Sequence, residues 1–113
     1  MAYSEALADR VRQELKGVKA LSEKRMMGGL CLLVEGNMLA AVGRASDGGD
    51  RLMLRVGKEN ESQSLLRPGA TAVEMGGRRM GGFVHVEAAA LDKAGLKDWL
   101  ALALDFVATL PRK

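Results

Sequence analysis

The sequence predicts an α+β domain in two layers, an antiparallel sheet of about five strands with helices mainly on one face, in the order α-β-β-β-α-β-β-α. Three observations carry that expectation. Apolar residues recur at helical spacing near both ends of the chain, whereas its middle holds short apolar runs of period two between Gly-rich turns. Arg25-Met26-Met27-Gly28-Gly29 also returns as Arg78-Arg79-Met80-Gly81-Gly82, each time just ahead of a β-type run. Gly pairs there predict a bend or bulge at the start of a strand, and Met75-Gly76-Gly77 predicts a tight turn before the second copy. At 113 residues the chain suits one core and not two, so residues 1–113 are expected to form one domain.

In the first helix Ser4 is the expected N-cap and Leu7, Val11, Leu15 and Val18 form the apolar stripe, with Gly17 ending it. Glu14, at the edge of the stripe, is expected to reach solvent or Arg10. Residues 30–34 and 38–42 read as a β-hairpin turning at Glu35-Gly36-Asn37, and residues 43–50 as a flexible connection. Next, Leu52, Leu54 and Val56 alternate with Arg51, Met53 and Arg55, the pattern of a half-buried strand. Residues 58–67 are polar except at Leu65 and Leu66 and stop at Pro68-Gly69, which predicts a short helix held by few contacts. Residues 70–75 and 82–86 form the last strand pair. Asp92 then caps a helix with Leu96, Trp99, Leu100, Ala103, Val107 and Leu110 on one stripe, ended by Pro111.

Composition narrows the function. Seventeen basic and fourteen acidic residues leave a charge of +3, too little for binding polyanions by charge alone. A single cysteine, Cys31, allows no internal disulfide and no Cys-based zinc cluster, which fits a reducing compartment. With no leader-like or membrane-spanning run, the expected location is the cytoplasm, away from membranes. No catalytic set, metal site or cofactor motif is expected: GxGxxG and GxxxxGK[ST] are both absent, and the Gly pairs precede strands rather than helices. Cys31 and His85 could in principle pair as nucleophile and base, but a cysteine in an apolar run is ordinarily an inert small hydrophobe.

The sheet face away from the helices is the candidate surface. Alternation gives it Arg51, Met53, Arg55, Phe83 and His85, joined by Leu33 and Leu39, with Arg25, Arg78 and Arg79 as further cations. Such a mixture of Met, Leu and Arg suits a protein interface. Single-stranded nucleic acid is the alternative, although one aromatic makes a poor stacking platform. A solvated face is the plain reading.

From Ser22 onward the residues resemble the N-terminal domain of the TfoX/Sxy family, bacterial proteins associated with regulation of natural competence. The resemblance rests on Ser22-Glu23-Lys24-Arg25-Met26-Met27-Gly28-Gly29-Leu30, Glu35-Gly36-Asn37-Met38, Leu52-Met53-Leu54-Arg55-Val56-Gly57, Arg67-Pro68-Gly69-Ala70, Gly77-Arg78-Arg79-Met80-Gly81-Gly82-Phe83-Val84, Trp99-Leu100 and Leu110-Pro111. It implies a stand-alone domain of that α+β fold, a non-enzymatic regulatory or adaptor role through protein contacts, and a partner such as a cyclic-AMP receptor protein. Direct nucleic-acid binding is the alternative function, and a small-ligand or enzymatic role the third. Met27 stands where the family usually has an aromatic, which implies that this ring serves packing rather than recognition.

Two expectations concern stability and one assembly. The glycines Gly28, Gly29, Gly81 and Gly82 are structural, and Trp99 anchors the core. Leu33, Leu39, Met53 and Phe83 on the open face, with Leu102 off the buried stripe of the last helix, predict an apolar patch and with it a homodimer.

Overall fold

The computed structural model describes residues 3–26, 28–45 and 47–113. Met27, and with it the expectation about the family aromatic that it replaces, lies outside the described residues. The elements are α1 (Glu5–Glu14), β1 (Leu21–Met26), β2 (Gly29–Val34), β3 (Asn37–Arg44), β4 (Asp50–Arg55), α2 (Lys58–Ser64), β5 (Ala70–Met75), β6 (Arg78–Glu87), a 3-10 turn (Ala88–Ala90) and α3 (Lys93–Val107). All neighbouring strands pair antiparallel, in the order β1-β2-β3-β4-β6-β5.

The sheet therefore has six strands rather than five, the addition being β1. Its residues Ser22, Glu23, Lys24, Arg25 and Met26 are all exposed, so it has no buried face to show as alternation. It is an edge strand carrying charge, the usual protection of an open edge. Arg12 ties it to α1 with two hydrogen bonds donated to the Glu23 carboxylate, at 2.7 and 2.9 Å.

The turns follow from their residues. Glu35 and Gly36 both have positive φ, 52° and 82°, in the two-residue loop joining Val34 to its partner Asn37. Gly76 and Gly77, at 59° and 79°, do the same between Met75 and Arg78. These are hairpin turns whose twist matches that of the strands.

Leu30, Leu32, Leu39, Ala40, Val42, Leu52, Leu54, Val84 and Val86 face the helices and form one core with Leu7, Val11 and Leu15 of the first helical segment and the α3 stripe. Trp99 is 4% exposed within it. Ser4 Oγ accepts from Leu7 N at 3.1 Å and Asp92 Oδ1 from Gly95 N at 2.6 Å, so both expected caps form. Arg10 does not meet Glu14; it donates to the Leu91 carbonyl.

Two expected features differ. Leu39 and Met53 are buried, at 0% and 6% exposure, and Leu102 packs partly against the core, so most of the supposed open apolar patch is covered within the chain. A register shift opposite Leu33 turns Leu39 inward. The second Gly pair does not begin a strand: Gly81 and Gly82 lie inside β6, where the β5 register shifts between Ala72 and Glu74.

Candidate functional site

The candidate interaction residues do not share one continuous surface. Arg51, Met53 and His85 line a hollow of about 190 Å³ on the open sheet face. Arg55 and Phe83 belong to a second hollow of about 580 Å³, beside the start of α2 and the end of α3. There the Arg55 guanidinium lies 5.5 Å from the Phe83 ring centroid and 5.8 Å from that of Phe106. The stacking holds its charge against two rings. Arg25 sits 6.0 Å from the Tyr3 ring. Arg78 is exposed at the start of β6.

Arg79 is engaged by a residue that sequence reasoning missed. Glu61 of α2 is buried, and its carboxylate reaches the β6 irregularity: Oε1 accepts from Gly82 N at 2.7 Å, and Oε2 accepts from Arg79 Nη2 at 2.6 Å and Nε at 3.0 Å. The Gly82 N–H, aided by Arg79, holds the Glu61 carboxyl below the ordinary carboxylate range. In return Gly82 O accepts from Val56 N at 2.8 Å and Gly57 N at 3.0 Å. The short polar helix is thus not held by few contacts, as its composition suggested; a carboxylate does the work an apolar face would do elsewhere. The one available signal was that a helix without an apolar stripe needs a polar anchor.

The smaller hollow owes its shape to the sheet. Cys31, Ala41, Met53 and His85 form one cross-strand row over β2, β3, β4 and β6. Met26 of β1 and Met75 of β5, from opposite edges of the sheet, line the same space. In a flat sheet those edges would stand about 24 Å apart, at the usual strand spacing. Lining one small hollow requires the edges to curl toward each other, which makes the open face concave. This curvature buries Cys31, Met53 and Val73, at 1%, 6% and 0% exposure, on the face away from the helical core. Met26 and Met75 remain 37% and 39% exposed at the rim.

Cys31 and His85 share the hollow but are separated in the row by Ala41 and Met53. Burial pushes the Cys31 thiol up. Burial, with Arg51 adding to it, pushes His85 down to about 4. A neutral thiol and a neutral imidazole are the reverse of the thiolate and imidazolium of an activated nucleophile.

These features define a helix-backed, curved antiparallel α+β domain whose candidate residues line separate surface hollows. Residues 13–107 match the model of the TfoX N-terminal domain, and the chain belongs to that family. No curated protein and no solved structure matches it significantly.

Proposed function

We propose that the chain is a non-enzymatic regulatory domain of the TfoX type, acting in the cytoplasm through contacts with another protein in the transcriptional control of competence. The observation that carries this reading is the pair of exposed methionines, Met26 and Met75, set at hairpin ends on either side of the concave face. Exposed thioethers are adaptable apolar contacts and are enriched at protein interfaces. Arg25 precedes Met26 in sequence, Arg78 pairs with Met75 across the turn, and both are exposed, so the rim is both apolar and basic. A regulator with an acidic, apolar surface suits it, as a cyclic-AMP receptor protein would if it carries one. Burial of Leu39 and Met53 removes the main argument for a second copy of this chain as the partner.

The nucleic-acid reading has less support, because its cations do not form a tract. Arg55 is stacked on two phenyl rings, Arg79 is paired with Glu61, and Arg51 lies in the hollow.

The test is a titration of the purified domain with a cyclic-AMP receptor protein, alone and on its DNA site, followed by calorimetry. The reading expects binding to the protein that is lost in a Met26→Glu, Met75→Glu double variant. Binding to DNA alone, with affinity falling steeply as salt rises, would replace it with the nucleic-acid reading.

A further inference from the structure

The larger hollow, of about 580 Å³, lies where the ends of β4 and α3 meet α2 and β6, and it shares no lining residue with the one between Met26 and Met75. A break in the sheet makes it. Pairing of β5 with β6 jumps from Ala72 opposite Val84 to Glu74 opposite Arg79, so the segment from Met80 to Phe83 leaves β5 and runs toward α2. Such irregularities are frequent beside functional sites, where they re-aim side chains. Here the result is Phe83 set opposite Arg55, with the ring centroid 5.5 Å from the guanidinium. From α3 the Phe106 ring reaches the same guanidinium, at 5.8 Å. A Cβ on Gly57 would lie 2.5 Å from Phe106 Cδ1, so only glycine lets that ring rest against the backbone between Arg55 and Lys58.

Arg55 carries a charge that the chain itself does not use. Among the described residues it has no ion pair and no side-chain hydrogen bond, and neither has Lys58, which lines the same hollow. The buried Glu61 carboxylate nearby is already taken up by Gly82 and Arg79. Stacking occupies the faces of the Arg55 guanidinium and leaves its N–H edges for a ligand.

We propose that this hollow binds a small aromatic carboxylate, its ring against Phe83 and Phe106, its carboxylate on the N–H edge of Arg55, and the Lys58 ammonium as an outer cation. Volume, apolar surface and charge each favour it. Small-molecule sites run from about 300 to 1,000 Å³ and combine apolar walls with a few polar groups. Both phenyl rings are half-buried, so each keeps a face that a ligand ring can cover. Glu59 and Asp105, both exposed, line the same hollow and oppose a dianionic phosphate more strongly than a singly charged carboxylate. Binding is reversible and makes no covalent bond. It does not depend on the partner contact proposed for the concave face.

The test titrates the full chain with naphthoate, followed by calorimetry and by amide NMR spectra. Saturable binding is expected, with shifts centred on Gly57, Gly82, Phe83 and Phe106. Arg55→Gln should weaken it about tenfold, the usual worth of hydrogen bonds to a charged group. Naphthylmethanol, which keeps the rings and lacks the charge, should bind the parent as weakly. Glu59→Gln with Asp105→Asn, at exposed positions, should tighten naphthoate severalfold and leave naphthylmethanol unchanged, a readout that stands even where Arg55→Gln disturbs the fold. Lys97→Gln, exposed on α3 and outside the hollow, should change nothing. Absence of saturable binding, equal affinity for naphthylmethanol, an equal loss in Lys97→Gln, tighter binding of naphthyl phosphate, or shifts centred on the hollow around Met53 would each overturn the proposal.

Discussion

The two copies of the Met-Gly-Gly string are alike in sequence and unlike in use. In the first, Gly28 has φ near 74° beside the turn that joins β1 to β2, and Gly29 pairs with Met26 across it. A Cβ on Gly29 would lie 2.5 Å from the Val42 carbonyl oxygen, so that glycine lets two strands close together. In the second copy Gly81 stays outside the left-handed region, while Gly82 has φ near 88° and is enclosed by α2. A Cβ there would meet Lys58 N at 3.2 Å and the Gly57 carbonyl carbon at 3.3 Å. One pair closes a hairpin; the other receives a helix. The structural counterpart of the first is Met75-Gly76-Gly77, which also ends a strand with a methionine over the hollow. A repeated string fixes what a backbone is free to do, and its surroundings decide what it does.

Stability measurements by chemical denaturation can break or sharpen that contrast. The core sets the upper end of the scale: Trp99→Ala should cost about 3 to 5 kcal/mol. A mutant melting like the parent would mean that α3 is not the anchor. Gly82→Ala should follow at about 3 kcal/mol, because positive φ and contact with backbone atoms act together. An effect no larger than that of Gly81→Ala would erase the distinction drawn within the pair.

Glu61→Ala should cost about 2 kcal/mol by leaving the Gly82 N–H without its acceptor. The same carboxylate gives a signature in acid. Its folded pKa is lowered, so its contribution is complete above the ordinary carboxylate range and is lost as pH falls through the lower folded value. Glu61→Gln should weaken less than the parent in that window, keeping only the loss that comes from Glu23, whose carboxyl the Arg12 guanidinium also holds low. His85 acts at higher pH, where stability falls as pH drops from the ordinary imidazole range to about 4, and both proteins share that loss. The smallest effect is expected at Gly81→Ala. Its Cβ would meet only the flexible Lys58 side chain, with Cε 3.3 Å away, and the change should stay within about 0.5 kcal/mol.

Periodicity made most of this fold legible. The stripe through Trp99 and the alternation of Leu52, Leu54 and Val56 encode burial directly, and the caps Ser4 and Asp92 mark their helices. β1 was illegible because an edge strand with five exposed residues has no pattern to display. The site was harder. Alternation placed Arg51, Met53, Arg55, Phe83 and His85 on one face, but it carries no information on what packs at the strand ends, where α2 and the end of α3 set Arg55 and Phe83 in a hollow of their own. Nor could spacing show that Glu61 meets Gly82, since they stand 21 positions apart with β5 and the turn into β6 between them.

The order of strands has a kinetic consequence. β1 to β4 pair with their sequence neighbours, so that half can assemble by closing short loops. β6 instead lies between β4 and β5, and Arg55 must find Phe83 with α2 and all of β5 in between. The β5–β6 hairpin can form on its own, but it must dock as a preformed ribbon against an edge the first half has already made. Contacts of long sequence separation carry the larger closure entropy and are made late. Glu61 and Gly82, which seal that junction, then act as a bolt thrown after the door has shut. Substituting them should speed unfolding and leave the refolding rate nearly unchanged, whereas changes in the β2–β3 hairpin should slow refolding. Stopped-flow refolding of Glu61→Ala would detect the opposite order as a slowed folding limb.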